Sequence, residues 1–154
     1  MRITVIGGAG KMACISVQDL ANDPRVDEVI IADLNLDQAK IVEETIKSPK
    51  IKSLRVDVND HSNLVEMLKG SDVCLNGTVY YTNLAVMEAC LSAGVHYTDM
   101  GGLFFTTHKQ LELGDRFKEA GCSAVLGMGS APGIPNLQAR YAADRLDTVD
   151  SIKI

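Results

Sequence analysis

The feature that most constrains this chain is a set of short runs that are apolar at nearly every position, among them Ile3 to Ile6, Val29 to Ala32 and Val73 to Leu75. A strand with one face in water alternates apolar and polar residues, whereas a strand apolar throughout must be covered on both faces. Ile51 to Val56, the segment from His96 and Ala124 to Leu126 extend the series to six strands. Between them the period changes to that of a helix: Ala13, Val17 and Leu20 share one face, as do Ala39, Val42 and Ile46, and then Leu84, Met87 and Leu91. Asn35, with Asp37 in the turn after it, marks a helix start. Gly70, Gly94 and Gly121 each close a helical pattern just before the next strand. Strand and helix alternating in this way predict an α/β fold built on a doubly wound parallel sheet. Right-handed crossovers give it the strand order 3-2-1-4-5-6.

A last helix is expected over about Leu137 to Leu146, and after it Val149, Ile152 and Ile154 alternate. That pattern predicts a half-buried strand in need of a partner sheet. Residues 1–147 are therefore expected to form one domain, and 148–154 the start of a second that this chain does not contain. A net charge of −5 argues against a nucleic-acid surface, which needs clustered Lys and Arg. No apolar run approaches the ~18 residues of a membrane span. Met1 leads directly into the first strand without a secretory leader pattern, so a cytoplasmic protein is expected. Cys14, Cys74, Cys90 and Cys122 are scattered without a Cys-x-x-Cys pair, which predicts buried reduced thiols and no metal site.

Chemistry is concentrated at the ends of the strands. Gly7-Gly8-Ala9-Gly10-Lys11-Met12-Ala13 follows the first strand and opens a helix. It fits a dinucleotide fingerprint in two registers, Gly8-x-Gly10-x-x-Ala13 or Gly7-x-x-Gly10-x-x-Ala13, and makes the predicted domain a Rossmann fold. Glycine allows a left-handed turn and a close backbone approach to a pyrophosphate, whose charge the helix N-terminus favours. Asp33, followed by Leu34, ends the second strand at the place of a ribose-binding acid. No arginine comes directly after it, so NAD is expected in preference to NADP. Asp57-Val58 closes the third strand, where adenine is lodged, and Gly77-Thr78 leaves the fourth beside the switch point. In His96-Tyr97-Thr98-Asp99 the strand exit faces the same crevice, which makes Tyr97 and Asp99 the candidate catalytic residues. The turn Gly127 to Asn136, with Ser130-Ala131-Pro132-Gly133 at its centre, is expected to bring backbone N–H groups near the nicotinamide.

The glycine loop, Asp33, the run Asn83 to Cys90, the run Ala93 to Asp99 and the turn Pro132-Gly133-x-x-Asn136 together resemble the saccharopine dehydrogenase and lysine dehydrogenase family over nearly the whole chain. The resemblance implies an N-terminal NAD(P)-binding domain followed by a substrate-binding domain that often dimerises. It also implies hydride transfer between nicotinamide and a carbon bearing an amine. The cofactor contacts would be Gly7, Gly8, Ala9, Gly10, Lys11, Met12, Asp33, Leu34, Asp57, Val58, Gly77 and Thr78. The chain departs from saccharopine reductases at Ala131, where they carry an acidic residue, and is closer there to the lysine dehydrogenases. The expected whole is thus an oxidoreductase acting on the CH–NH group of an amino acid or related amine, homodimeric at full length. The isolated chain is expected to be inactive, because half of the crevice is missing. Two rivals are a non-catalytic NAD(H)-sensing module and a short-chain dehydrogenase or epimerase. The latter needs a Tyr-x-x-x-Lys pair, and none of Tyr80, Tyr81, Tyr97 and Tyr141 has a lysine four residues on.

Overall fold

The computed structural model describes residues 1–153. Along the chain run β1 (Arg2–Ile6), α1 (Ala13–Asn22), β2 (Glu28–Asp33), α2 (Leu36–Ile46), β3 (Ile51–Arg55), α3 (His61–Leu68) and β4 (Val73–Asn76). A short 3-10 turn, Tyr80–Thr82, leads into α4 (Asn83–Ala93), β5 (His96–Asp99), α5 (Phe104–Leu111), α6 (Gly114–Glu119), β6 (Ala124–Val125) and α7 (Ile134–Ala143). The six strands form one parallel sheet in the order β3-β2-β1-β4-β5-β6. The predicted fold class and strand order are those observed.

The apolar runs are explained by two cores, one on each side of the sheet. Val5, Val29 and Ile31 pack with Ala13, Val17 and Ala39 of α1 and α2, while Ile6, Ile30 and Ala32 pack with α3 and α4 through Leu64, Leu68, Val86 and Met87. Val29, Ile30, Ile31 and Ala32 are each no more than 1% exposed, so β2 has no water-facing side at all. The outermost strand β3 is different: Lys52, Leu54 and Arg55 are exposed, because only one neighbour and one helix layer reach this edge.

Local chemistry sets the helix ends. The Asn35 side chain accepts the Gln38 N–H at 3.1 Å and starts α2, as expected, and Asp60 does the same for Asn63 at the start of α3. Gly70, Gly94 and Gly121 take left-handed φ values of 78°, 71° and 67°, which turn the chain from helix to strand.

Four expectations are corrected. Two short helices, α5 and α6, connect β5 to β6 where one was expected. The last helix begins at Ile134 and ends at Ala143 instead of running from Leu137 to Leu146. Pro135 lies in its first turn, where no donor is needed, and Asn136 accepts the Gly133 N–H at 3.0 Å to close the start. No strand forms among the described residues from 148 to 153, because neither sheet edge takes this segment as a partner; Ile154 lies outside the described residues. Of the cysteines, only Cys74 and Cys90 are buried; Cys14 and Cys122 are partly exposed. Among the described residues no helix is long and apolar enough to cross a membrane.

Candidate functional site

The carboxyl ends of β1, β2, β3 and β4 open on one edge of the sheet, and most of the nominated residues meet there. Gly7 leaves β1 with a φ of 68°, a conformation that costs any residue with a Cβ. A Cβ on Gly7 would also lie 2.7 Å from Cγ2 of Thr78. This left-handed glycine identifies Gly7-x-x-Gly10-x-x-Ala13 as the register that makes the turn. Gly8 is buried beneath the loop, where a Cβ would press on the Val5 carbonyl at 3.0 Å and on Ile31 at 3.1 Å. The Gly10 N–H closes the turn on the Gly7 carbonyl at 2.9 Å, and Cys14 N–H bonds Gly10 as α1 begins.

Asp33 braces this loop. One carboxylate oxygen accepts the Ala9 N–H at 3.1 Å and the other accepts the Asn35 N–H at 3.0 Å. The acid that ends β2 thereby fixes both the glycine turn and the start of α2. A cleft of about 260 Å³ runs along this edge, lined by Gly7, Asp33, Leu34, Asp57, Val58 and Thr78 among others. Six of the twelve nominated cofactor residues therefore share one concavity. Val79, Tyr81 and Thr82 line it as well. Tyr81 and Thr82 lie in the 3-10 turn after β4 and Val79 directly precedes it, a stretch for which the sequence carries no helix or strand period.

Lys11 and Met12 are exposed, and Met12 faces a second cleft on the other side of the loop. This cleft, of about 530 Å³, is mostly apolar, with Met12, Ile15, Met100, Met128, Ile134 and Leu137 in its walls. Gly77 packs against α1: a Cβ there would stand 2.6 Å from that of Ala13, so the close approach Gly77 allows is of helix to strand.

Tyr97 and Asp99, nominated for catalysis, are 1% and 2% exposed and bond to each other inside the protein. The Asp99 oxygen Oδ2 accepts from the Tyr97 hydroxyl at 2.9 Å and the Gln110 amide at 2.7 Å. Its Oδ1 accepts the N–H groups of Gly101 and Gly127, both at 2.8 Å. The Asn76 amide donates to Asn83 and to the Tyr97 hydroxyl, and its oxygen accepts both the N–H and the hydroxyl of Thr78. A polar chain thus runs from Thr78 in the first cleft to the loops after β5 and β6. The N–H groups of Gly127 and Met128, expected near the nicotinamide, are both spent on Asp99.

Burial, and then the nearby Asp99 charge, hold the Tyr97 phenol well above its ordinary range. The unfolded chain sheds this proton near pH 10 while the folded chain keeps it, so this contribution is complete below that pH and falls as pH rises. Above pH ~10 the wild type should lose stability up to about 1.4 kcal/mol per pH unit faster than Tyr97→Phe. Urea melts between pH 8 and 11.5 would show it; parallel curves for the two proteins would refute it.

Comparison with known proteins agrees with this architecture. Residues 3–125 match the family described as Saccharopine dehydrogenase NADP binding domain. Carboxyaminopropylagmatine dehydrogenase of Synechocystis sp. is 30% identical, over 92% of this chain and 38% of its own length. Carboxynorspermidine synthase of Vibrio cholerae is 28% identical, over 100% of this chain and 43% of its own. The chain therefore spans well under half of the curated relatives it matches. Among solved structures, apo saccharopine dehydrogenase (L-Glu forming) from Saccharomyces cerevisiae superposes with a TM-score of 0.82 at 22% identity, covering 94% of this chain and 31% of that one. With the glycine loop, the braced Asp33 and the sheet order already in place, the family match is decisive: the chain belongs to the saccharopine dehydrogenase family, as its nicotinamide-dinucleotide-binding domain.

Proposed function

We propose that this chain is the cofactor half of an NAD(P)-dependent dehydrogenase acting on the C–N bond of a carboxylated di- or polyamine. The observation that carries the reading is the glycine loop braced by Asp33 over a cleft that also gathers Asp57, Val58 and Thr78. The residues fit a dinucleotide: the loop leaves no space for side chains at Gly7 and Gly8, and α1 points its N-terminus at the turn. Asp33 and Leu34 would hold the adenosine ribose, Asp57 and Val58 the adenine, and Gly7 to Met12 the pyrophosphate. The apolar cleft beside Met12 and Met128 would take the nicotinamide end. When bound, the cofactor supplies or accepts the hydride; the protein orients it and keeps water from the apolar side.

The substrate class comes from the relatives, whose names give carboxyaminopropylagmatine and carboxynorspermidine, and it narrows the amino-acid or related amine expected from sequence. Tyr97 and Asp99 are buried, so we assign them to positioning the strand ends. Further chain, as in the longer relatives, would bring the substrate-binding surface and a dimer contact.

Calorimetric titration of the chain with NADH tests the cofactor site. Wild type should bind, and Asp33→Ala should weaken binding about tenfold or more by loosening the loop and losing the ribose acceptor. Undiminished binding by the variant would remove Asp33 from the site. No NADH-dependent turnover of an imine by the 154-residue chain is expected.

A further inference from the structure

Beyond the cleft that holds Asp57 and Thr78 lies a more open one of about 570 Å³, lined by Asp33, Leu34, Asn35, Leu36, Asp37 and Arg55. Arg55 is the last residue of β3, and the parallel ladder pairs it with Asp33, the last residue of β2. Partners in a parallel register project from the same face of the sheet. Arg55 is exposed and, among the described residues, makes no ion pair and no side-chain hydrogen bond. The other cations of this edge are engaged, Lys52 with Glu28 and Lys50 with the Asp23 carbonyl. An unengaged guanidinium therefore stands beside the ribose-binding acid.

We infer that Arg55 is the residue that admits a 2′-phosphate on the adenosine ribose, so that this chain accepts NADPH as well as NADH. The inference rests on the dinucleotide site proposed above. A carboxylate at the end of β2 by itself repels a 2′-phosphate. Here both Asp33 oxygens already accept backbone N–H groups, which hold the carboxylate against the loop, and Arg55 supplies a fixed positive charge with a planar fork suited to phosphate. Asp37 shares the cleft and opposes the same phosphate, so one cation faces two carboxylates. The balance gives dual acceptance, not exclusive NADPH use. An arginine in this role is normally sought directly after the second strand. Here it arrives from the third strand through the ladder.

The test is calorimetric titration of the chain with NADH and with NADPH, for wild type, Arg55→Gln and Arg55→Lys, at low and high salt. Wild type should bind the two within about tenfold of each other. Arg55→Gln should weaken NADPH about tenfold or more while changing NADH less than about twofold, and Arg55→Lys should fall between. The NADPH affinity of wild type should also fall more steeply with salt than that of Arg55→Gln. Because Arg55 is exposed, unchanged thermal melts are expected and serve as the folding control. An unchanged NADPH-to-NADH ratio in Arg55→Gln overturns the role of Arg55 while leaving the dinucleotide site standing. A wild type that binds neither cofactor overturns both.

Discussion

Gly77→Ala should destabilise the chain by about 2–3 kcal/mol and weaken dinucleotide binding severalfold or more, although it adds a single methyl group outside the cofactor cleft. Backbone strain is not the reason, since Gly77 is not among the residues with positive φ. The reason is space. A Cβ at Gly77 would lie 2.6 Å from the Cβ of Ala13 and 3.2 Å from the Ile6 carbonyl. Neither neighbour is a flexible side-chain end: one is rigidly tied to α1 and the other is main chain of β1. The helix must move outward, and the glycine loop moves with it, because Cys14 N–H bonds Gly10 and Ala13 follows the loop directly. Asp33 would then lose its grip on Ala9. The double variant Gly77→Ala with Ala13→Gly separates this account from a general intolerance of change. Removing the Ala13 methyl should restore most of the affinity and part of the stability, less about 1 kcal/mol for a glycine in a helix, although Ala13 opens α1 and the cost there is smaller. Strictly additive losses in urea melts of the four proteins would show that the two residues do not press on each other.

The contrast between Gly77 and Asp33 shows what the sequence could convey. Asp33 was legible because its signal is local: it ends an apolar run at a set distance from a glycine loop. The parallel sheet was legible for the same reason, since β1, β2 and β4 must each be covered on two faces by residues within the run itself. Gly77 against Ala13 and Arg55 beside Asp33 are contacts made by the ladder. Nothing near either residue in sequence records its partner; the register of β1 with β4 and of β2 with β3 has to be known first. The misplaced start of α7 has a local cause: Pro135 looks like a helix breaker, yet it sits in a first turn, where its missing donor is harmless. Alternation at Val149 and Ile152 is a pattern without a ladder partner among the described residues, and period alone does not make a strand. Residue type and a place at a strand exit facing the crevice point Tyr97 and Asp99 toward catalysis. Their burial follows from α4 and α5 closing over the end of β5, which brings Asn83 and Gln110 to the carboxylate.

That burial makes the partners of Asp99 costly to lose. Its carboxylate accepts from Tyr97, Gln110, Asn83, Gly101 and Gly127, five donors in all. Asp99→Ala leaves them facing a void that admits little water, and should cost about 3 kcal/mol or more. Asp99→Asn should cost less, about 1–2 kcal/mol. Its oxygen can keep the Gly101 and Gly127 N–H groups, while its amide faces Tyr97, Gln110 and Asn83, of which the hydroxyl and one side-chain amide can reorient to accept and the third donor loses its partner. The difference between the two substitutions is the informative quantity, because a site that needed only volume would rank them by size and one that needed negative charge would reject both alike. Hydrogen exchange offers a second view under conditions where each variant is still folded. In Asp99→Ala the Gly101 and Gly127 amides should exchange markedly faster than wild type, since both lose their acceptor, while amides in β1 and β2 change only with global stability. Those two glycines adjoin Met100 and Met128 of the apolar cleft in sequence, so the same substitution should loosen the wall assigned to the nicotinamide end. Unaltered protection at Gly101 and Gly127 in a folded Asp99→Ala protein would mean that the loops hold their shape without the carboxylate, and the positioning role assigned to Asp99 would fall with it.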